Sequence, residues 1–180
     1  DADGPLPDVT APLDPSARER WNDYGIGLLL QGDLKGAGAA FRTVMAIDPS
    51  YADGPTSLAQ ALLQEGDVDA AIPVLEAALD VAPDLARAHF LLGTALKTLG
   101  QYDEALAHLQ AAHEQYPRDR VVLGQIGRIQ FLDRRFDEAI VTFRDVLSID
   151  PEDLNAHYNL MLSYRGAGNT TMAEREQLLY

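Results

Sequence analysis

The chain has 180 residues, enough for one compact domain or a short array of repeats, and 47% of them are apolar. Its 28 acidic residues against 14 Lys and Arg leave a net charge of −14, which argues against a general nucleic-acid surface, since phosphate neutralisation needs clustered cations. Cysteine is absent, which removes disulfides, thiolate metal sites and cysteine nucleophiles together.

Residues 1–14, DADGPLPDVTAPLD, carry three prolines and one glycine with no apolar period, and read as an extended linker. The acidic start has no apolar stretch of the kind a signal peptide needs, and no apolar run is long enough for a spanning helix. We therefore expect no membrane segment and a soluble chain, cytoplasmic or periplasmic. The lack of a starting Met fits an excised fragment or a processed chain. Asp14-Pro15-Ser16 suits a helix start, with Asp14 as cap and Pro15 at the first helical position.

From there the chain repeats. Pro15, Pro49, Pro83, Pro117 and Pro151 stand 34 residues apart. The repeats divide residues 15–180 into units 18–51, 52–85, 86–119, 120–153 and an incomplete 154–180. Each complete unit holds two helical patterns of about three to four turns. Gly32, Gly66, Gly100 and Gly168 fall at the turn between them, where a left-handed residue terminates a helix; Arg134 stands there in the fourth unit. The second helix ends before each proline, which cannot continue it. Pro73 lies inside the second helix of unit two and should bend it or delay its start.

Small residues recur too. Gly25, Ala59, Gly93 and Gly127 occupy position 8 of their units, and Ala37, Ala71, Ala105, Ala139 and Ala173 occupy position 20. They let the paired helices approach, with Phe41, Leu75, Leu109 and Phe143 filling the adjacent gap.

This period, the helix–turn–helix pattern and the spacing of Trp21, Gly25, Ala37, Phe41 and Pro49 resemble the tetratricopeptide repeat over residues 18–180. Pro55 and Met161 depart from its pattern. The resemblance implies an all-α, right-handed solenoid of about five units, with each unit's first helix on the concave side. It also implies a non-catalytic module that binds a protein or peptide. WNDYGIGLLLQGDLKGA and DLNAHYNLMLSYRGAGN are, in addition, similar to repeat tails of bacterial multihaem cytochromes. No Cys-x-x-Cys-His is present, so the chain would be such a tail without the haems.

Apolar and small residues fill positions 3, 4, 7, 8, 10 and 11 of the first helices, leaving 2, 5, 9 and 12 as a separate stripe. In units three to five it reads Arg87, Phe90, Thr94, Lys97; Val121, Gly124, Arg128, Phe131; Asn155, Tyr158, Leu162, Arg165. Four cations and no acid stand there, with Gln125 and Asn159 one residue off. Such a face suits an extended segment bearing acidic or carboxylate groups, Arg pairing with the acids and amides holding the guest's backbone. The plainer reading is that Lys97 and Arg165 sit near helix C-termini, where a cation is favourable without any ligand. A chaperone-type carboxylate clamp, which the family also uses, is not matched: unit one offers Asn22 and Ile26, and unit three offers Phe90 and Thr94.

No catalytic set emerges, and we expect no enzyme activity, no cofactor and no metal. His108 and His113 are five apart, off one helix face, and His89 and His157 fall where Trp21 packs, which reads them as packing residues. Asp67, Asp69, Asp103-Glu104 and Asp137-Glu138 read as helix caps. Asn169-Thr-Thr fits a glycosylation acceptor. Near the C-terminus Met172, Leu178 and Leu179 have no following helix to cover them. That end reads equally as a second contact surface, for another domain or for a second copy of the chain, or as an arbitrary boundary of the sequence with nothing docked on it. The alternative function is accordingly an assembly tail of a larger, electron-transfer type of protein, acting through the solenoid ends.

Overall fold

The structure, a computed structural model, describes residues 15–179. The expected linker 1–14 and the Asp14 cap lie outside the described residues. Among those described there are ten α-helices and no strand. They come in pairs: α1 (Pro15–Gln31) with α2 (Leu34–Ile47), α3 (Asp53–Glu65) with α4 (Val68–Val81), α5 (Ala86–Thr98) with α6 (Tyr102–Gln115), α7 (Arg120–Leu132) with α8 (Phe136–Ile149), and α9 (Leu154–Gly166) with the short α10 (Thr170–Gln177). Packing divides the chain into two compact units, one reaching Ala95 and the other beginning at Leu96, so the division falls inside α5.

The turns between paired helices follow from backbone stereochemistry. Gly32, Gly66, Gly100 and Gly168 adopt φ of 80°, 84°, 76° and 78°. Arg134 takes the same left-handed turn at φ 62°, where a Cβ is costly. Asp33, Asp67 and Asn169 cap the second helices, each accepting from the backbone N–H three residues on. Asn169 thus has its side-chain oxygen engaged by Met172 N. The acids of the third and fourth units are not caps. Asp103, Glu104, Asp137 and Glu138 stand in the first turn, while Gln101 and Arg135 occupy the cap positions without a capping side-chain bond. Pro73 does not delay α4, which starts at Val68 in register with its counterparts because Asp67 caps it and Ala71 is fully buried.

In the first unit α1 packs on α2, α2 on α3 and α3 on α4. Trp21, Ala40 and Val44 form a buried cluster with Ile47 and Tyr51 against it. Arg18 donates to Asp48 at 3.0 Å and lies over the Tyr51 ring at 4.5 Å. Glycine at position 8 is required by the ring opposite it: a Cβ on Gly25 would stand 2.7 Å from Phe41.

The second unit repeats the device. A Cβ on Gly127 would meet the Phe143 ring at 2.8 Å, so the crossing of α7 and α8 is set by that contact. Ala139, Phe143, Leu160, Met161, Tyr164 and Ala173 make one core cluster, which Met172 partly covers rather than standing exposed. Leu178 and Leu179 do remain exposed, at 88% and 60%. His157 is more than a packing residue. Its Nδ1 is 2.8 Å from Glu176 Oε2 on α10 and its Nε2 is 3.0 Å from the Pro151 carbonyl. A carboxylate and a carbonyl on its two nitrogens favour the doubly protonated ring, in which both nitrogens donate. His89 makes the same Nε2 contact with the Pro83 carbonyl, at 2.8 Å.

Candidate functional site

Burial decides which faces of α7 and α9 are left outward. Val122, Leu123, Ile126 and Ile129 of α7 turn into the core, as do Ala156, Leu160, Met161 and Tyr164 of α9. The remaining stripes look onto two clefts between these helices. The larger, about 610 Å³, is bounded on the α7 side by Val121, Gly124, Gln125 and Arg128 and on the α9 side by Leu154, Asn155 and Asn159. The smaller, about 260 Å³, lies against Phe131, Leu132, Tyr158 and Leu162. Arg128, Asn155 and Asn159 line both and form the waist between them.

Caps and ion pairs hold the helix starts around the larger cleft. Asp119 accepts from the N–H groups of Val121 and Val122, and Asp153 from that of Ala156 at 2.9 Å. Arg120 donates to Asp150 and, at 3.3 Å, to Asp153, tying the α8–α9 loop to the start of α7. Asp150, Glu152 and Asp153 thereby form an acidic rim on a cleft whose stripe carries no acid. The stripe pattern missed this rim and Arg120. A signal was present, because Arg18 and Asp48 pair across the same spacing of 30 residues in the first unit.

The cations divide into used and unused. Arg87 is engaged within the first unit, donating to Ser57 Oγ at 3.3 Å and to Gln60 Oε1, with Asp53 3.9 Å away. Phe90 and Thr94 are half-buried in that unit, and Thr94 Oγ1 donates to the Phe90 carbonyl. Arg165 donates to Gln177 at 2.8 Å and borders neither cleft. Its place in the last turn of α9, beside the helix's partial negative end, agrees with the plainer reading. Lys97 is half-buried and donates to Gln125 Oε1. Burial, and next the charge of Arg128, lower its pKa from 10.5. Arg128 is exposed, and no residue among those described hydrogen-bonds or ion-pairs with it. The second unit thus brings Gln125, Arg128, Phe131, Asn155, Tyr158 and Asn159 to the clefts, with Lys97 outside both linings and joined to them through Gln125; Arg87, Phe90 and Thr94 belong to the first unit, and Arg165 stands apart from the clefts.

The face is also apolar. Val121 and Leu154 are each 57% exposed beside the larger cleft, and Leu132 and Tyr158 are 48% and 39% exposed beside the smaller. Leu154 and Leu132 were absent from the sequence stripe, each lying one residue outside it.

Paired helices stacked in a 34-residue register define a protein of the α-solenoid class. The chain belongs to the tetratricopeptide repeat family, whose model matches residues 56–120 and 95–154. Among solved structures it is similar to a MamA protein at 22% identity, covering 92% of this chain and 91% of that one with a TM-score of 0.83. MamA residues 41-end from Desulfovibrio magneticus RS-1 match at 18% identity, with 96% and 93% coverage and a TM-score of 0.84. MamA of AMB-1 matches at 26% identity, with 92% and 91% coverage and a TM-score of 0.77. No curated protein matches the sequence. The tetratricopeptide fold is a protein-interaction scaffold. No described helix is long and apolar enough to cross a membrane. Among the described residues no group of three or more His, Asp and Glu could hold a metal ion.

Proposed function

We propose that this chain is a protein-binding module whose α7/α9 face takes an extended segment of a partner, with acidic or carboxylate groups of the guest directed at Arg128 and Lys97. The observation that carries it is Arg128, an exposed guanidinium at the junction of two clefts that nothing within the described chain neutralises. Lys97, its charge disfavoured by burial and by Arg128, gains from the same anion. Asn155 supplies an amide for the guest's backbone, with the Nε2 of Gln125, whose Oε1 holds Lys97, and the Oδ1 of Asn159, whose Nδ2 donates to the Asn155 carbonyl. In this reading the face is the concave side of a repeat array over residues 15–180, with 1–14 as its tether. Arg87, Phe90 and Thr94, which belong to the first unit, and Arg165, which borders neither cleft, are not part of this centre.

The test is capture of partners from native lysate by wild type, by a Lys97→Ala, Arg128→Ala variant and by an Arg87→Ala, Arg165→Ala variant, all checked for helicity. The first variant should lose the partner and the second retain it. A partner held equally by all three would place binding on the ends or on the opposite face. That outcome would favour the assembly-tail reading, which has the exposed Leu178 and Leu179 in its favour. The more specific idea of a multihaem-cytochrome tail gains nothing from the comparisons.

A further inference from the structure

We infer that the guest of the α7/α9 face is a segment of another protein bearing a single acidic residue flanked on both sides by apolar ones. This rests on the reading just given and adds the guest's pattern. Three observations set it. First, Arg128 stands at the waist of the two clefts, so one acid is seated centrally with a cleft on either side. Second, each cleft is edged by exposed apolar side chains, Val121 and Leu154 on one side and Leu132 and Tyr158 on the other. Leaving such surface in water is unfavourable, and a guest's side chains would cover it. In an extended segment side chains on one face recur every second residue, roughly 6.6 Å apart. Along α7, at about 1.5 Å per residue, Leu132 stands roughly 6 Å and Val121 roughly 10.5 Å from Arg128, which places one anchor two residues from the acid on the Leu132 side and the other two to four residues from it on the Val121 side.

Third, the far edge of the larger cleft is acidic. Asp150 and Asp153 share the one cation Arg120, and no ion pair among the described residues engages Glu152. A run of acids would be repelled there, whereas a Lys or Arg beyond the apolar anchor is favoured. The rim therefore excludes polyacidic tails and gives the segment a direction, its basic end toward the α8–α9 loop.

A displayed library of random nine-residue peptides, panned on the immobilised full chain and on its Arg128→Glu variant, tests this. Arg128 is exposed, so the variant should fold, and its helicity is checked by circular dichroism. Wild type should enrich the pattern with one central Asp or Glu. The variant should change that position to Lys or Arg while keeping the apolar flanks. A synthetic peptide selected on wild type should bind the variant more than about tenfold more weakly, since a like-charge contact replaces a pair. Val121→Ser and Leu132→Ser should each relax the preference at one flank only. Peptides that need Arg128, Asn155 and Asn159 but show no central acid, or show acidic runs, would overturn this inference and leave the proposed function standing. Peptides indifferent to all three residues would overturn both. So would failure to enrich any motif together with a self-association that Arg128→Glu abolishes, which would assign the face to a second copy of the chain.

Discussion

Arg134 carries the one positive φ of a non-glycine residue among those described, in a turn where four other repeats use glycine. A left-handed residue with a Cβ costs about 1–2 kcal/mol, and the glycine's greater unfolded-state freedom returns part of that. Arg134→Gly should therefore raise unfolding stability by about 0.5–1 kcal/mol, read as a higher urea midpoint with an unchanged slope. His157 makes a prediction of opposite character. Burial works against its charge, but the hydrogen bonds to Glu176 and the Pro151 carbonyl, with the charges of Glu176 and Asp153, outweigh it and raise its pKa above 6.5. A group with a raised folded pKa stabilises fully below its unfolded value and loses that contribution as pH rises through the folded one. Wild type should thus exceed His157→Gln by about 1–2 kcal/mol near pH 5.5, and the gap should close toward about pH 9. A gap that is constant across this range would show that the ring acts by packing alone. The sequence placed both residues in the repeat but could not show either property. Arg134 stood in a glycine's place, and that was legible; the two acceptors around His157 come from a loop and from a helix 19 residues away.

Between elements, the pairing of glycine at position 8 with an aromatic ring from the second helix sets how closely α7 and α8 approach. Gly127→Val should cost about 1–3 kcal/mol, because the new side chain meets the Phe143 ring inside ordinary contact distance. Adding Phe143→Leu should recover part of that loss, so that the double variant is more stable than the sum of the single changes implies; additive losses in a urea double-mutant cycle would deny the contact. This pairing was readable in advance, since a small residue at position 8 and a large one on the second helix recur in the first four units, as glycine and phenylalanine in the first and fourth. The caps were only partly readable. Asp67 is a cap, but Asp103 and Glu104 are displaced by two or three positions from Gln101, and acids are favoured anywhere in a first turn. At the candidate site the helix stripe held Arg128 and Asn155, with Asn159 one residue off it, while the rim acids came from a loop with no helical period to announce them.

For the molecule as a whole, a net charge of −14 on 180 residues implies self-repulsion that favours expansion at low ionic strength. Raising salt from about 0.02 to about 0.5 M should shorten the Debye length severalfold and raise Tm by a few degrees. A Tm unchanged over that range would mean the acids are spaced widely enough to ignore one another. The same screening should weaken the guest's hold on Arg128, so the proposed binding has an opposite salt dependence from the stability. Measuring both on one preparation separates a general charge effect from a site-specific one.

By itself the sequence determined the period, the helix pairs, the left-handed turns and the small-against-large packing of each pair, and with them the family. These depend on residues near one another along the chain or on a pattern printed several times over, so local stereochemistry and repetition suffice. Only the tertiary structure decided which cations are available. Arg87 finds Gln60 at 27 residues' distance and Arg165 finds Gln177 at 12, whereas Arg128 is left at the meeting of two clefts. The reason is physical: a side chain's charge is satisfied by whichever atoms folding brings within hydrogen-bond reach, and the helix stripe gives its direction but not the neighbour it meets.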